Sequence, residues 1–237
     1  MTHTSTVPGD LTAAPMSSSH RQQSRLWAYA GVAAGALGLV GIEASLRVDA
    51  VYDERFAGDP GKIMGRLEDC VPAILTFHTA TMLATVLLLV FGAGLRRRLQ
   101  QQAPGDSLLP DVAAGGAFLA AVAGLIGAGF TTEMVFGVTN DDSLLTPEMA
   151  VVFAHWIGTI PWLWVGAGVT GAAVAVAALR HAAAPRWIGW VAALVGGLAL
   201  VAGLSPLQYM AGYFGPFFVL VASAGFAFGD RAARTTR

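Results

Sequence analysis

The chain has 237 residues, of which 55% are hydrophobic and only 12% charged, with a formal net charge of −1, and its mean hydropathy is +0.60. Soluble domains carry about 25% charged residues, enough to keep a surface wet, so this composition excludes an ordinary soluble globule and points to an integral membrane protein. The near-neutral charge excludes the concentrated basic face that nucleic acid binding needs, and a single cysteine, Cys70, excludes an intrachain disulfide framework or a CxxC site.

Residues 1–25 are rich in Ser, Thr and Pro and carry no apolar period. They cannot bury enough surface to offset the entropy of ordering, which predicts a disordered tail. A membrane-spanning helix needs about 20 predominantly apolar residues to cross about 30 Å of hydrocarbon. Six segments meet that requirement, at roughly 26–46, 70–95, 111–134, 148–179, 186–204 and 213–229. The fourth is long enough that it must tilt or kink, and Pro161 inside it removes an amide donor and clashes with the carbonyl of Ile157. Residues 230–237 form a second short tail. The expectation is an all-α bundle of six transmembrane helices over 26–229.

Orientation follows from Arg and Lys in short loops. Arg21 and Arg25 precede the first span, Arg96, Arg97 and Arg98 follow the second, Arg180 and Arg186 separate the fourth from the fifth, and Arg231, Arg234 and Arg237 follow the sixth. Six crossings put all four sets on one side. That predicts a bacterial plasma (inner) membrane protein with both termini cytoplasmic. The first span reads as a retained helix, because IEA at 42–44 is a poor cleavage site. In the first outer loop, PGKIMGRLEDC (60–70) has the pattern of a short surface helix; the second carries Asp141 and Asp142 and no basic residue.

Gly31, Gly35 and Gly38 share one face of the first helix, and Gly116, Ala120, Gly124 and Ala128 repeat every four residues on the third. Small residues at this spacing let helix backbones approach closely in lipid. Internal packing is the first reading of these faces and homo-oligomerisation the second. Trp27, Trp187 and Trp190 sit near span ends as interface anchors, while Trp162 and Trp164 are mid-span fillers.

Four ionisable side chains on four different spans fall in the outer half: Glu43, His78, Glu133 and His155. Each costs about 2.5–3.5 kcal/mol at the centre of a span on insertion scales, which makes it a functional candidate by default. At about 100° per residue, Thr81 and Thr85 share the face of His78, and Glu148, Thr159 and Trp162 share the face of His155. Three readings compete. The four side chains bind a metal ion or small cation, with zinc suited to imidazole and carboxylate and Thr81 or Thr159 orienting the rings. Met64, Met134, Met149 and Met210 gather at the same side, and thioethers favour copper(I); a bis-His haem is a variant resting on the His pair alone. Alternatively, each Glu pairs with a His, and the chain is a structural or regulatory membrane subunit. In the third reading the residues relay protons in a small-solute transporter or serve a metal- or haem-dependent redox protein. No Walker loop, Rossmann fingerprint, GxSxG or HExxH motif occurs, which leans against an enzyme.

The stretches AHWIGTIPWLWVGAG (154–168), RHAAAPRWIGWVAALVGGL (180–198) and SPLQYMAGYFGPFFVLVASAGFAFG (205–229) resemble an uncharacterised family of multi-pass membrane proteins from GC-rich bacteria. The resemblance runs from about Leu75 onward. It implies a six-helix integral membrane fold and no assigned activity.

Overall fold

The computed structural model describes residues 25–140, 144–160 and 164–229. Every regular element among them is helical. In chain order they are α1 (Leu26–Ser45), α2 (Pro60–Gln100), α3 (Leu109–Thr139), α4 (Pro147–Thr159) and α5 (Val165–His181), then α6 (Arg186–Gly203) and α7 (Gln208–Gly229). Single π turns interrupt α6 at Ala192–Gly196 and close α7 at Gly225–Gly229.

Five of these, α1, α2, α3, α6 and α7, are long and apolar enough to cross a membrane by length and composition. The 148–179 segment is not one long rod: its described parts form two helices, α4 of 13 residues and α5 of 17. Pro161 and Trp162 lie outside the described residues, as do Asp141, Asp142, residues 1–24 and residues 230–237.

The surface helix expected at 60–70 is instead the first part of α2, which runs unbroken for 41 residues. At 1.5 Å per residue that is about 61 Å, longer than the roughly 40–45 Å of a bilayer with its headgroups. Asp59 starts α2 by accepting a hydrogen bond from Lys62 N at 3.1 Å, and Pro60 occupies the first helical position. Pro72 sits inside the helix, and the Thr76 hydroxyl donates to its carbonyl at 2.8 Å. α3 likewise continues to Thr139, so Glu133 lies within the helix rather than at its end.

α2 packs between α1 and α3; α1 also packs on α7, α3 on α5, and α5 on α6 and α7, while α4 lies against α2 and α3. The small-residue faces are filled by the chain itself. A Cβ on Gly35 would stand 2.5 Å from the Leu220 backbone nitrogen of α7, and one on Gly116 2.5 Å from the Gly166 carbonyl of α5. Without those Cβ atoms the backbones come close enough for dispersion contacts and short polar ones.

One apolar core, including Phe91, Leu95, Leu99, Ile188 and Phe218, fills the middle and the Arg-rich end. Trp27 belongs to it: it is buried against Phe226, with ring centroids 5.4 Å apart, and so is not the interface anchor its position predicts. Trp187 and Trp190 are exposed, as anchors would be. A second core, with Leu67, Ile74, Phe77, Met134 and Ile157, fills the opposite end between α2, α3 and α4.

Arginines tie the first end together. Arg25 donates to Ala227 O at 2.6 Å, Arg98 to Ala183 O at 3.1 Å, and Arg96 pairs with Asp111. These contacts gather the starts of α1 and α3, the end of α2, the α5–α6 turn and the end of α7. At the opposite end Tyr52, after α1, meets Tyr209, at the start of α7, hydroxyl to hydroxyl at 3.4 Å. Between the two ends runs an apolar belt: Val86, Ile126 and Val201 are 61%, 56% and 66% exposed. Soluble monomers rarely leave such surface uncovered, and the helices fit an integral membrane protein.

Candidate functional site

His78 is half-buried on α2, facing α3. Its Nδ1 lies 2.9 Å from Ala128 O and 2.8 Å from Thr131 Oγ1, and the Thr131 hydroxyl donates to that same carbonyl at 2.6 Å. A carbonyl can only accept, and the single hydroxyl proton of Thr131 is already spent on it. Nδ1 therefore carries the hydrogen and donates, a tautomer assigned from the network. Nε2 makes no hydrogen bond to any described residue.

The orienting partners are thus Ala128 and Thr131, not Thr81. Thr131 is fully buried and continues the Gly124, Ala128 stripe of α3 by three residues, the signal that would have found it. The stripe also explains the reach, because Gly124 lets α3 approach so closely that a Cβ there would meet Thr85 Cγ2 at 2.8 Å. One turn deeper, Phe77, Thr81, Thr85, Gly124 and Trp164 line a cavity of about 20 Å³, room for one water-sized occupant. The Thr85 hydroxyl donates to Met82 O, while that of Thr81 has no partner among the described residues.

His155 is exposed on α4, and its ring meets Tyr52 edge-on at 5.9 Å. Thr159 Oγ1 donates to the His155 backbone carbonyl at 2.8 Å rather than to the ring. Tyr52 and Tyr209 seat their hydroxyls over Gly158, where no Cβ would fit. Neither tyrosine carries a sequence signal, since each lies at a helix connection distant in the chain. Trp156 Nε1 donates to Gly127 O at 3.1 Å.

Glu43, Glu133 and Glu148 are all exposed. Glu148 sits in the first turn of α4, where a carboxylate favours the positive end of the helix dipole. Met134 is fully buried in apolar surroundings, Met149 and Met210 are exposed and Met64 is half-buried. No hydrogen bond or ion pair joins any two of Glu43, His78, Glu133 and His155. Among the described residues no three His, Cys, Asp or Glu side chains gather as a metal-holding group. His78 is the one of the two histidines whose ring is anchored by a hydrogen bond, and its Nε2 has no partner among the described residues.

Titration behaviour is shifted in the α1–α2 connection. The hydrogen bond from the Arg55 guanidinium, reinforced by its backbone N–H, holds the Asp53 carboxyl down at about 2. The Asp59 carboxyl is lowered first by the Lys62 backbone N–H and then by its ammonium.

No protein-family model, no curated protein and no solved structure matches this chain.

Proposed function

We propose that the chain is a multi-pass plasma-membrane protein with both termini cytoplasmic, acting as a structural or regulatory membrane subunit whose deep polar side chains hold helices in register. The observation that carries this is the His78 Nδ1–H bond to the α3 carbonyl of Ala128, supported by Thr131. Other polar groups are spent the same way: Thr170 donates to Ala113 O of α3 at 2.9 Å, and Trp156 and Arg98 donate to backbone carbonyls across the bundle. In lipid such cross-helix bonds replace those water would make.

A second reading keeps Glu43, His78, Glu133 and His155 as an outward-side site for a metal ion or small cation. It is favoured by one feature, the free Nε2 of a ring whose Nδ1–H is anchored, which is how metal-ligating histidines are held. Zinc suits that nitrogen, and copper or haem are the variants.

Isosteres separate the two. The amide nitrogen of Asn stands as many bonds from Cα as Nδ1, and that of Gln as many as Nε2. His78→Ala should lower stability by about 1–2 kcal/mol, the scale of one buried hydrogen bond with its partner left unpaired. Under the register role His78→Asn recovers most of that loss and His78→Gln does not, measured by unfolding of purified protein in detergent. Zinc that co-purifies with the wild type and disappears in His78→Asn would overturn the register role in favour of the cation site. A Soret band lost in His78→Ala and His155→Ala would move the protein to the redox class.

A further inference from the structure

The α1–α2 face carries a lateral groove that the register role does not use. Its upper part, of about 750 Å³, is lined by Glu43 and Arg47 from the end of α1, by Arg66 and Asp69 from α2, and below them by Leu39 and Val40. It continues through Thr76, common to both parts, into an apolar part of about 410 Å³ reaching Leu37 and Leu83. From Asp69 to Leu83 along α2 is about 21 Å at 1.5 Å per residue. One leaflet with its headgroups is about 20–22 Å, half of a 40–45 Å bilayer. The groove is therefore polar over its head end, apolar over its tail end, and one leaflet long.

The charges at the head end are specific. Arg66 is committed: its Nε and Nη2 donate to Asp49 at 3.0 and 3.3 Å, and Nη1 reaches Asp69 at 3.5 Å. Glu43 and Arg47 make no ion pair with each other or with any described residue. Both line the upper part of the groove, one carboxylate and one guanidinium without an ion-pair partner among the described residues. The groove's four charges sum to zero, so a net-anionic headgroup gains nothing overall and meets Glu43 and Asp69. A phosphate beside a primary ammonium matches both free groups, the guanidinium donating to phosphate and the carboxylate accepting from the ammonium. A quaternary ammonium has no N–H to donate.

We infer that this groove binds a glycerophospholipid with a primary-amine, zwitterionic headgroup, its phosphate at Arg47, its ammonium at Glu43 and one acyl chain along Leu39, Val40 and Leu83. The inference rests on the membrane-embedded reading and goes beyond the register role.

The test is native mass spectrometry of the full chain from nanodiscs holding equal amounts of phosphatidylethanolamine, phosphatidylcholine and phosphatidylglycerol with identical acyl chains. Ethanolamine lipid should be enriched about threefold in the first bound adduct, the scale of one exposed charge pair. The double variant Glu43→Gln, Arg47→Gln should retain lipid with the preference gone. Val40→Trp, which fills the slot, should lose the adduct. Asp106→Asn, at the other end of the bundle, should behave as wild type, and unfolding midpoints confirm that each variant folds. Equal retention of the three lipids, a preference for phosphatidylglycerol, or an ethanolamine preference surviving the double variant or Val40→Trp would overturn the headgroup assignment while leaving the membrane reading intact. A chain that fails to enter nanodiscs and stays soluble without detergent would overturn both.

Discussion

Gly115 and Gly116 are neighbours on α3 with opposite surroundings. A Cβ on Gly116 would press on the backbone of α5, at Gly166 O and Thr170 N, whereas one on Gly115 meets nothing within 4 Å. Overpacking of this kind costs about 1–3 kcal/mol, while an open helical glycine replaced by alanine gains up to about 1 kcal/mol of helix propensity. Gly116→Ala should therefore destabilise the protein and Gly115→Ala leave it unchanged or firmer, as read by denaturant unfolding in detergent. Equal effects would mean that α3 and α5 are not in contact. The same stripe shows how far the site was legible. His78 stood out because an imidazole in an apolar run is costly, but its partner is a backbone carbonyl plus Thr131, and a carbonyl has no sequence signature. The acids stood out by charge alone, and charge does not say which way a helix face turns; Glu43, Glu133 and Glu148 turned outward.

At the scale of elements, the difference between expected and observed α2 has a physical cause. Hydropathy sees only the apolar part from Cys70 onward, while the polar turns before it continue the helix because Asp59 and Pro60 start it cleanly and Arg66 is fastened to Asp49. Removing the cap with Asp59→Ala should fray the first turn, visible as faster hydrogen exchange at Ile63, whose N–H bonds to Asp59 O. The cap is also pH-dependent. The folded Asp59 carboxyl titrates below its ordinary value because the Lys62 N–H and ammonium favour the anion. A depressed carboxylate contributes its stabilisation fully above the unfolded value of about 3.9 and loses it as pH falls through the folded value. Protection of the first α2 turn should hold at neutral pH and decay in the acid range for wild type. In Asp59→Asn, which keeps an acceptor without the charge, it should not change with pH over that range. An identical acid decay in both would show that another group controls the end. α4 and α5 were read as one span because the segment is apolar throughout; α4 instead packs into the second core with α2 and α3.

For the whole molecule, the all-helical class and the spans at α1, α3, α6 and α7 were legible within a few residues, since long apolar runs in a chain this poor in charge have few other fates. The count of crossings was less so, because it turns on α5. Its 17 residues make about 25 Å of helix, short of a full core of about 30 Å, yet it leads from α4 at the tyrosine end to the turn that Arg98 holds at the Arg-rich end. A helix that short would cross only with local thinning of the bilayer or snorkelling of flanking residues such as Arg180, at a cost of fractions of a kcal/mol per Å. Six crossings with the Arg-rich end cytoplasmic predict a definite labelling pattern. In a Cys70→Ala background, Ala57→Cys and Gly65→Cys are exposed positions at the tyrosine end, and Asp106→Cys and Arg180→Cys are exposed positions at the other. A membrane-impermeant thiol reagent should modify the first two in intact cells and the last two only after lysis. Labelling of Asp106→Cys but not Ala57→Cys in intact cells would invert the protein. Labelling of Arg180→Cys together with Ala57→Cys would show that α5 lies on the outer side, reduce the crossings to five and put the C-terminus outside.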